Sequence, residues 1–160
     1  MEVLTMKNMY KHVIVGIDGS DQADKAFQKA IRIARESDAT LYIVSALQFV
    51  SDSDFMYTTM DVGITPLVTD SSDASYQALD ARKELANDLA EQASRAGVAK
   101  AVVIVDFDDP KQLLIDTVDK HEDAVIVLGA TTKKTFERFM VGSVAQHVVN
   151  NAPCDVLIVK

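Results

Sequence analysis

Five short stretches of this chain are almost wholly apolar and rich in β-branched residues: HVIVGI at 12–17, LYIVSAL at 41–47, AVVIV at 101–105, AVIVL at 124–128 and DVLIV at 155–159. A strand with one wet face alternates polar and apolar residues, whereas a continuous apolar run needs cover on both faces. The segments between the runs supply that cover. Ala23, Ala26, Phe27, Ala30, Ile33 and Ala34 recur at helical spacing, and Asp24, Lys25, Lys29, Arg32 and Arg35 take the opposite face. This predicts a helix to about Ser37, with Ser20 or Asp21 as its N-cap. Leu79, Arg82, Leu85, Leu89 and Ala93 mark a second helix from Ala74 to about Arg95, stopped by Gly97. Asp109-Pro110 opens a third helix that buries Leu113, Leu114, Thr117 and Val118, and residues 142–150 make a fourth. Strand and helix alternate throughout, so the expected fold is α/β: a three-layer, doubly wound, five-stranded parallel sheet with helices on both faces.

At 160 residues the chain has the length of one domain, and 48% apolar residues are enough for a real core. Ser, Thr and Asp fill fourteen of the twenty-five positions from 51 to 75 without a sustained period, which predicts a long loop. The single cysteine, Cys154, cannot form an internal disulfide and has no neighbouring histidine to activate it, so it reads as a small structural residue. No apolar run approaches the ~18 residues needed to cross a membrane, and the first residues lack the features of a signal or transit peptide. A cytoplasmic protein is expected. The formal charge is −8, which argues against nucleic-acid or anionic-membrane partners. Between Arg35 and Arg82 there is no basic residue, and the eight acids of that window account for the whole imbalance. An anionic ligand is therefore compatible with a site elsewhere.

In doubly wound sheets, ligands bind beyond the carboxyl ends of the strands, where strand order reverses. The residues in such positions are Asp18 to Ser20, Ala46 to Gln48, Asp106 to Asp109 and Gly129 to Thr132. From Gly129 to Ser143 the chain carries Lys133, Lys134 and Arg138 against Glu137 alone, and a helix follows. Helix N-termini reached through glycine and hydroxyl residues are anion sites, and the placement suits a polyphosphate. The same residues also read as a strand end, a helix cap and a solvated basic face. Neither G-x-x-x-x-G-K-[ST] nor G-x-G-x-x-G occurs, so a P-loop motor and a dinucleotide dehydrogenase do not fit. Asp18 alone reads as a turn aspartate, and Asp106, Asp108 and Asp109 as turn and cap residues. His12, His121 and His147 have no ligand spacing and are expected at the surface. No activated nucleophile, acid–base pair or metal cluster is visible. The expectation is a non-enzyme, at most slow in hydrolysing ATP.

The opening VIVGIDGS with its amphipathic helix, the DDP before the third helix, the spacing from Gly129 to Gly142-Ser143 and the ending NAPCDVLIV together resemble the universal stress protein family. The match covers residues 10–48 and 97–160, which makes residues 1–160 a single such domain with 1–9 as an N-terminal extension and 49–73 as a variable loop. The resemblance implies an adenine nucleotide alpha hydrolase-like, Rossmann-like sheet, a homodimer and, in one branch, ATP held by G-2x-G-9x-G-[ST]. On that pattern Gly16, Ile17 and Asp18 would meet the ribose or adenine, and Ala46 would offer its backbone to the base. Leu128, Gly129, Thr132, Lys133, Gly142, Ser143 and Val144 would cradle the phosphates, with a magnesium ion travelling on them. Thr132 departs from the pattern, standing where the nucleotide-binding branch has its second glycine; its Cβ takes space, while its hydroxyl adds a phosphate donor. Independently of the resemblance, the apolar final strand is a poor sheet edge to leave in water, which predicts pairing with a second copy. Two other readings remain open: a receiver-like phosphoacceptor domain using Asp18 and Asp106, and a universal stress protein that binds no nucleotide and acts through protein contacts. Against the receiver, the chain stops at Lys160 without a final helix. An ATP pyrophosphatase-like loop after the first strand is poorly matched by Gly16-Ile-Asp-Gly-Ser.

Overall fold

The computed structural model describes residues 9–48, 71–130 and 141–160. Five strands, β1 (His12–Gly16), β2 (Thr40–Leu47), β3 (Lys100–Phe107), β4 (Ala124–Gly129) and β5 (Asp155–Val159), form one sheet in the order β3-β2-β1-β4-β5. Every neighbouring pair is parallel, with His12 opposite Thr40 on one side and Ala124 on the other. The described helices are α1 (Asp21–Ser37), α2 (Ser71–Arg95), α3 (Pro110–Val118) and α4 (Ser143–Asn151). The fold is thus the expected three-layer α/β sandwich.

Alternation along the strands sorts the core into two halves. Val13, Val15, Leu41, Ile43, Val125 and Val127 face α1 and α2, where Phe27, Ala30, Ala86 and Ala93 meet them. Ile14, Val44, Ile126 and Leu128 face α3 and α4, against Leu114, Val118, Ala145 and Val148. Val13, Ile14 and Val15 are completely buried, as a central strand covered on both sides must be.

Local chemistry sets the helix ends. The Ser20 hydroxyl accepts from the Ala23 amide at 3.1 Å and starts α1, while the Asp109 carboxylate accepts from the Lys111 amide at 2.8 Å and starts α3. At the end of α2, Gly97 adopts φ +98°, its amide donates to Ser94 and the Val98 amide donates to Ala93, a Schellman closure. Two expectations need correction in α2. It begins at Ser71, three residues before the expected Ala74, while residues 49–70 of the expected loop lie outside the described residues; a Ser-Ser-Asp sequence suits a helix start with its acid toward the positive end of the dipole. Its inner face also runs through Ser75, Leu79, Arg82, Ala86, Leu89 and Ala93, leaving Leu85 40% exposed. Three turns of 3.6 residues counted from the buried Ser75 end nearer Ala86 than Leu85, so Ala86 takes the inner position.

Candidate functional site

The chain leaves β1 for β2 and β3, then returns to the other side of β1 for β4 and β5. The connections leaving β1 and β4 therefore part toward opposite faces, which opens a crevice beyond the carboxyl ends of these strands. A cleft of about 200 Å³ lies there. It is lined by Gly16, Ile17 and Asp18 after β1, Ala46 of β2, Leu128 and Gly129 of β4, and Val144 of α4. Seven residues singled out from the sequence thus meet at one place. Gly142 and Ser143 do not line the cleft but immediately precede Val144 at the start of α4. Thr132 and Lys133, with the basic residues that follow them, lie outside the described residues.

Two glycines shape the cleft. A Cβ on Gly16 would come 2.8 Å from the Leu128 Cδ2 and 3.6 Å from a Leu114 methyl, so its absence keeps space open between two lining side chains. A Cβ on Gly129 would lie 2.6 Å from the Gln22 carbonyl oxygen. Glycine at 129 is needed for the first turn of α1 to close onto the end of β4. Its backbone still lines the cleft, so the packing and binding readings of this residue meet in one position.

Among the described residues, the polar groups at the cleft are few. The Asp18 carboxylate is exposed and accepts from the Ser20 amide at 3.0 Å, which holds the turn after β1 while the side chain stays at the cleft. Behind the cleft, the buried Ser45 hydroxyl donates to the Ile17 carbonyl at 2.9 Å and receives Arg82 Nη1 at 3.0 Å, which ties the end of β1 to β2 and α2. The N-cap of α4 is Gly142, which has no side chain to satisfy the first-turn amides. An uncapped helix start beside a cleft is suited to an anion. Sequence reading missed Gln22, Pro110 and Leu114 as cleft residues. The cap and the helical period marked Pro110 and Leu114 as structural, Gln22 carried no signal, and only the meeting of α1 and α3 at the strand ends makes them lining.

The remaining candidates stand apart. Asp106 and Asp108 accept from the amides of Phe107 and Asp109 at 2.8 and 2.7 Å, so both serve their own turn. Asp106 does not line the cleft with Asp18, and the pair of carboxylates a receiver needs is not assembled there. Among the described residues, no three His, Cys, Asp or Glu side chains group as metal ligands. The histidine expectation is corrected in part. His147 is exposed, but His12 and His121 are half-buried and stacked, with ring centroids 4.3 Å apart, and the Tyr42 hydroxyl lies 3.3 Å from His12 Nδ1. They are far apart in sequence and meet only because β1 lies beside the turn that enters β4. Cys154 is half-buried, and burial raises its thiol pKa, the reverse of an activated thiolate.

The universal stress protein family model matches residues 9–160. The chain belongs to that family. A Staphylococcus aureus (strain USA300) protein described as a universal stress protein is 31% identical over 152 residues, spanning 94% of this chain and 84% of that protein. Among solved structures, a universal stress protein from Lactobacillus plantarum superposes with TM-score 0.71 at 23% identity, covering 94% of this chain and 98% of the other. A universal stress protein solved in complex with cAMP superposes at 0.62 with 24% identity, covering 94% and 96%. In this universal stress protein, the cleft lies beyond the carboxyl ends of β1 and β4, where the strand order reverses. No helix among the described residues is long and apolar enough to cross a membrane.

Proposed function

We propose that this universal stress protein is a regulatory module that holds an adenine nucleotide, ATP in the first instance, in the cleft between β1 and β4. The supporting observation is the convergence at the strand-order reversal of Gly16, Ile17, Asp18, Ala46, Leu128, Gly129 and Val144 beside an uncapped helix start. The apolar sides from Leu114, Leu128 and Val144 suit a purine, Asp18 suits a ribose hydroxyl, and the first-turn amides of α4 with Ser143 suit the phosphates. A related fold solved with cAMP supports the nucleotide class. Magnesium would arrive on the phosphates rather than in a protein cage. On this reading the nucleotide acts as a signal, and a homodimer formed through β5 carries it to a protein partner.

The test is calorimetric titration with ATP and magnesium beside AMP and cAMP. ATP is expected to bind most tightly. Ser143→Ala should weaken it by about 1.5 to 3 kcal/mol through loss of a hydroxyl donor to a charged oxygen. Gly142→Val should weaken it further by placing a branched side chain where phosphate must approach. Unchanged affinity in both variants would reduce the Gly-Ser pair to a helix start. Tighter binding of cAMP than of ATP would change the ligand without moving the site.

A further inference from the structure

We propose that Ser45 and Arg82 are positioning residues for the ribose end of the cleft: the hydroxyl held by Arg82 fixes the peptide that joins Ile17 to Asp18, and with it the direction in which the Asp18 carboxylate meets the ligand. This rests on the nucleotide reading of the cleft and on Asp18 as its ribose acceptor. Asp18 stands where the sheet stops holding the chain. The paired residues of β1 end at Gly16, and the Ile17 amide makes one further bond, to the Val44 carbonyl at 2.9 Å. Beyond that bond Asp18 and Gly19 are exposed, Gly19 adopts φ +81°, and a Cβ placed on it would meet nothing within 4 Å. A turn so open has little packing to hold it. Upstream it is held by a side chain of the neighbouring β2: the Ser45 hydroxyl donates to the Ile17 carbonyl at 2.9 Å. A peptide unit is planar, so a carbonyl fixed at Ile17 also fixes the N–H of Asp18 and constrains the torsions on either side. Asp18 Oδ1 accepts from the Ser20 amide, and Oδ2 is then the oxygen for a ribose hydroxyl. Where it points follows from the backbone that carries it.

Arg82 sets the sense of the hydroxyl. A serine hydroxyl has one hydrogen and can turn it to any acceptor in reach, whereas a guanidinium only donates. With Arg82 Nη1 donating to Ser45 Oγ at 3.0 Å, the hydroxyl hydrogen is left for Ile17, and the positive charge polarises the O–H bond that carries it. Ser45 is 2% exposed, so these bonds lie out of reach of solvent. Among the described residues Arg82 enters no ion pair, and this hydroxyl is the polar group to which its charge is committed. Docking α2 on the sheet would ask only for a small apolar residue, as at the fully buried Ala86 one turn on and Ala93 three turns on. A charged donor aimed at the serine that holds the end of β1 serves the cleft instead.

The experiment is calorimetric titration of the full chain, Ser45→Ala and Arg82→Met with ATP and with 2′,3′-dideoxy-ATP, each with magnesium. The dideoxy nucleotide keeps the base and the phosphates and lacks the hydroxyls that Asp18 would accept from. The parent protein should bind it about tenfold more weakly than ATP. Each variant should lose about threefold or more of that preference, because ATP binding falls while dideoxy-ATP binding is nearly unchanged. A role in folding alone would weaken both ligands together and leave their ratio as in the parent protein, and that result would overturn the proposal. Where Ser45→Ala is unfolded by circular dichroism, Arg82→Met, which keeps the hydroxyl and the helix, decides in the same way. The failure of the underlying reading looks different. Equal affinity of the parent protein for both nucleotides would remove Asp18 as the ribose acceptor and the proposal with it, and absence of ATP binding would remove the nucleotide site itself.

Discussion

At the residue scale, the two cleft glycines separate two reasons for having no side chain. The Cβ of Gly16→Ala meets the tip of Leu128, which can rotate, so the variant should fold with little loss of stability and bind ATP more weakly in a narrower cleft. The Cβ of Gly129→Ala meets the main chain of Gln22 and cannot be accommodated by a rotamer. Overpacking of this kind costs about 1 to 3 kcal/mol, to be read from urea denaturation, with α1 displaced at its first turn. Equal stability losses in the two variants would contradict the distinction. The His12 imidazole is held below its ordinary value of 6.5, by burial first, then by His121, Lys11 and Lys100, against the pull of Asp123. Below about pH 6.5 the unfolded chain takes up a proton that the folded chain resists, so the unfolded state binds more protons and stability falls as pH falls. Melting temperature should therefore drop more steeply through that range in the parent protein than in His12→Phe. Parallel curves would remove His12 as the source.

At the element scale, α1 and α2 end in the same hydrogen-bond pattern with different residues at the left-handed position. In α2 it is Gly97, and in α1 it is Asp38 at φ +55°, followed by Ala39 donating to Ala34 at 2.8 Å. Asp38 also sets a negative charge at the negative end of the helix. Asp38→Gly should raise stability by about 1 kcal/mol, measured as a shift in the urea midpoint; a loss would mean that the carboxylate has an unrecognised partner. The strands were legible because each is a bounded apolar run, and the caps because Ser20 and Asp109-Pro110 carry their chemistry locally. The inner face of α2 was half legible. A hydrophobic reading favours Leu85, yet the helix turns Ala86 inward and reaches Ser45 with the partly buried Arg82, a polar contact no periodicity reveals. Asp18, Ala46 and Gly129 could be read because strand ends are the place ligands go in this architecture, and Gly16, Ile17, Leu128 and Val144 came only with the family resemblance. Gln22 could not, since it lines the cleft only once α1 has packed on β4.

At the scale of the whole molecule, β5 is the last strand of the sheet, and its Val156, Leu157, Ile158 and Val159 are each half-buried. Beside it, α4 leaves Val149 51% exposed. An apolar edge with an exposed valine on the adjoining helix is a surface that a second copy would cover. Sedimentation at micromolar concentration should give twice the 17.5 kDa chain mass, and Val149→Lys should shift the population toward the single chain. A monomeric parent protein would count against the pairing. The strand order has a further consequence for synthesis. Central β1 takes one neighbour from residues 40–47 and the other from residues 124–129, so it cannot be flanked on both sides until most of the chain has left the ribosome. Long-range parallel pairing of this kind is slow, and the waiting intermediate exposes an apolar flank that chaperones recognise. Because the cleft lies between β1 and β4, it comes into being at that closing step, and a ligand captured there would certify a finished molecule.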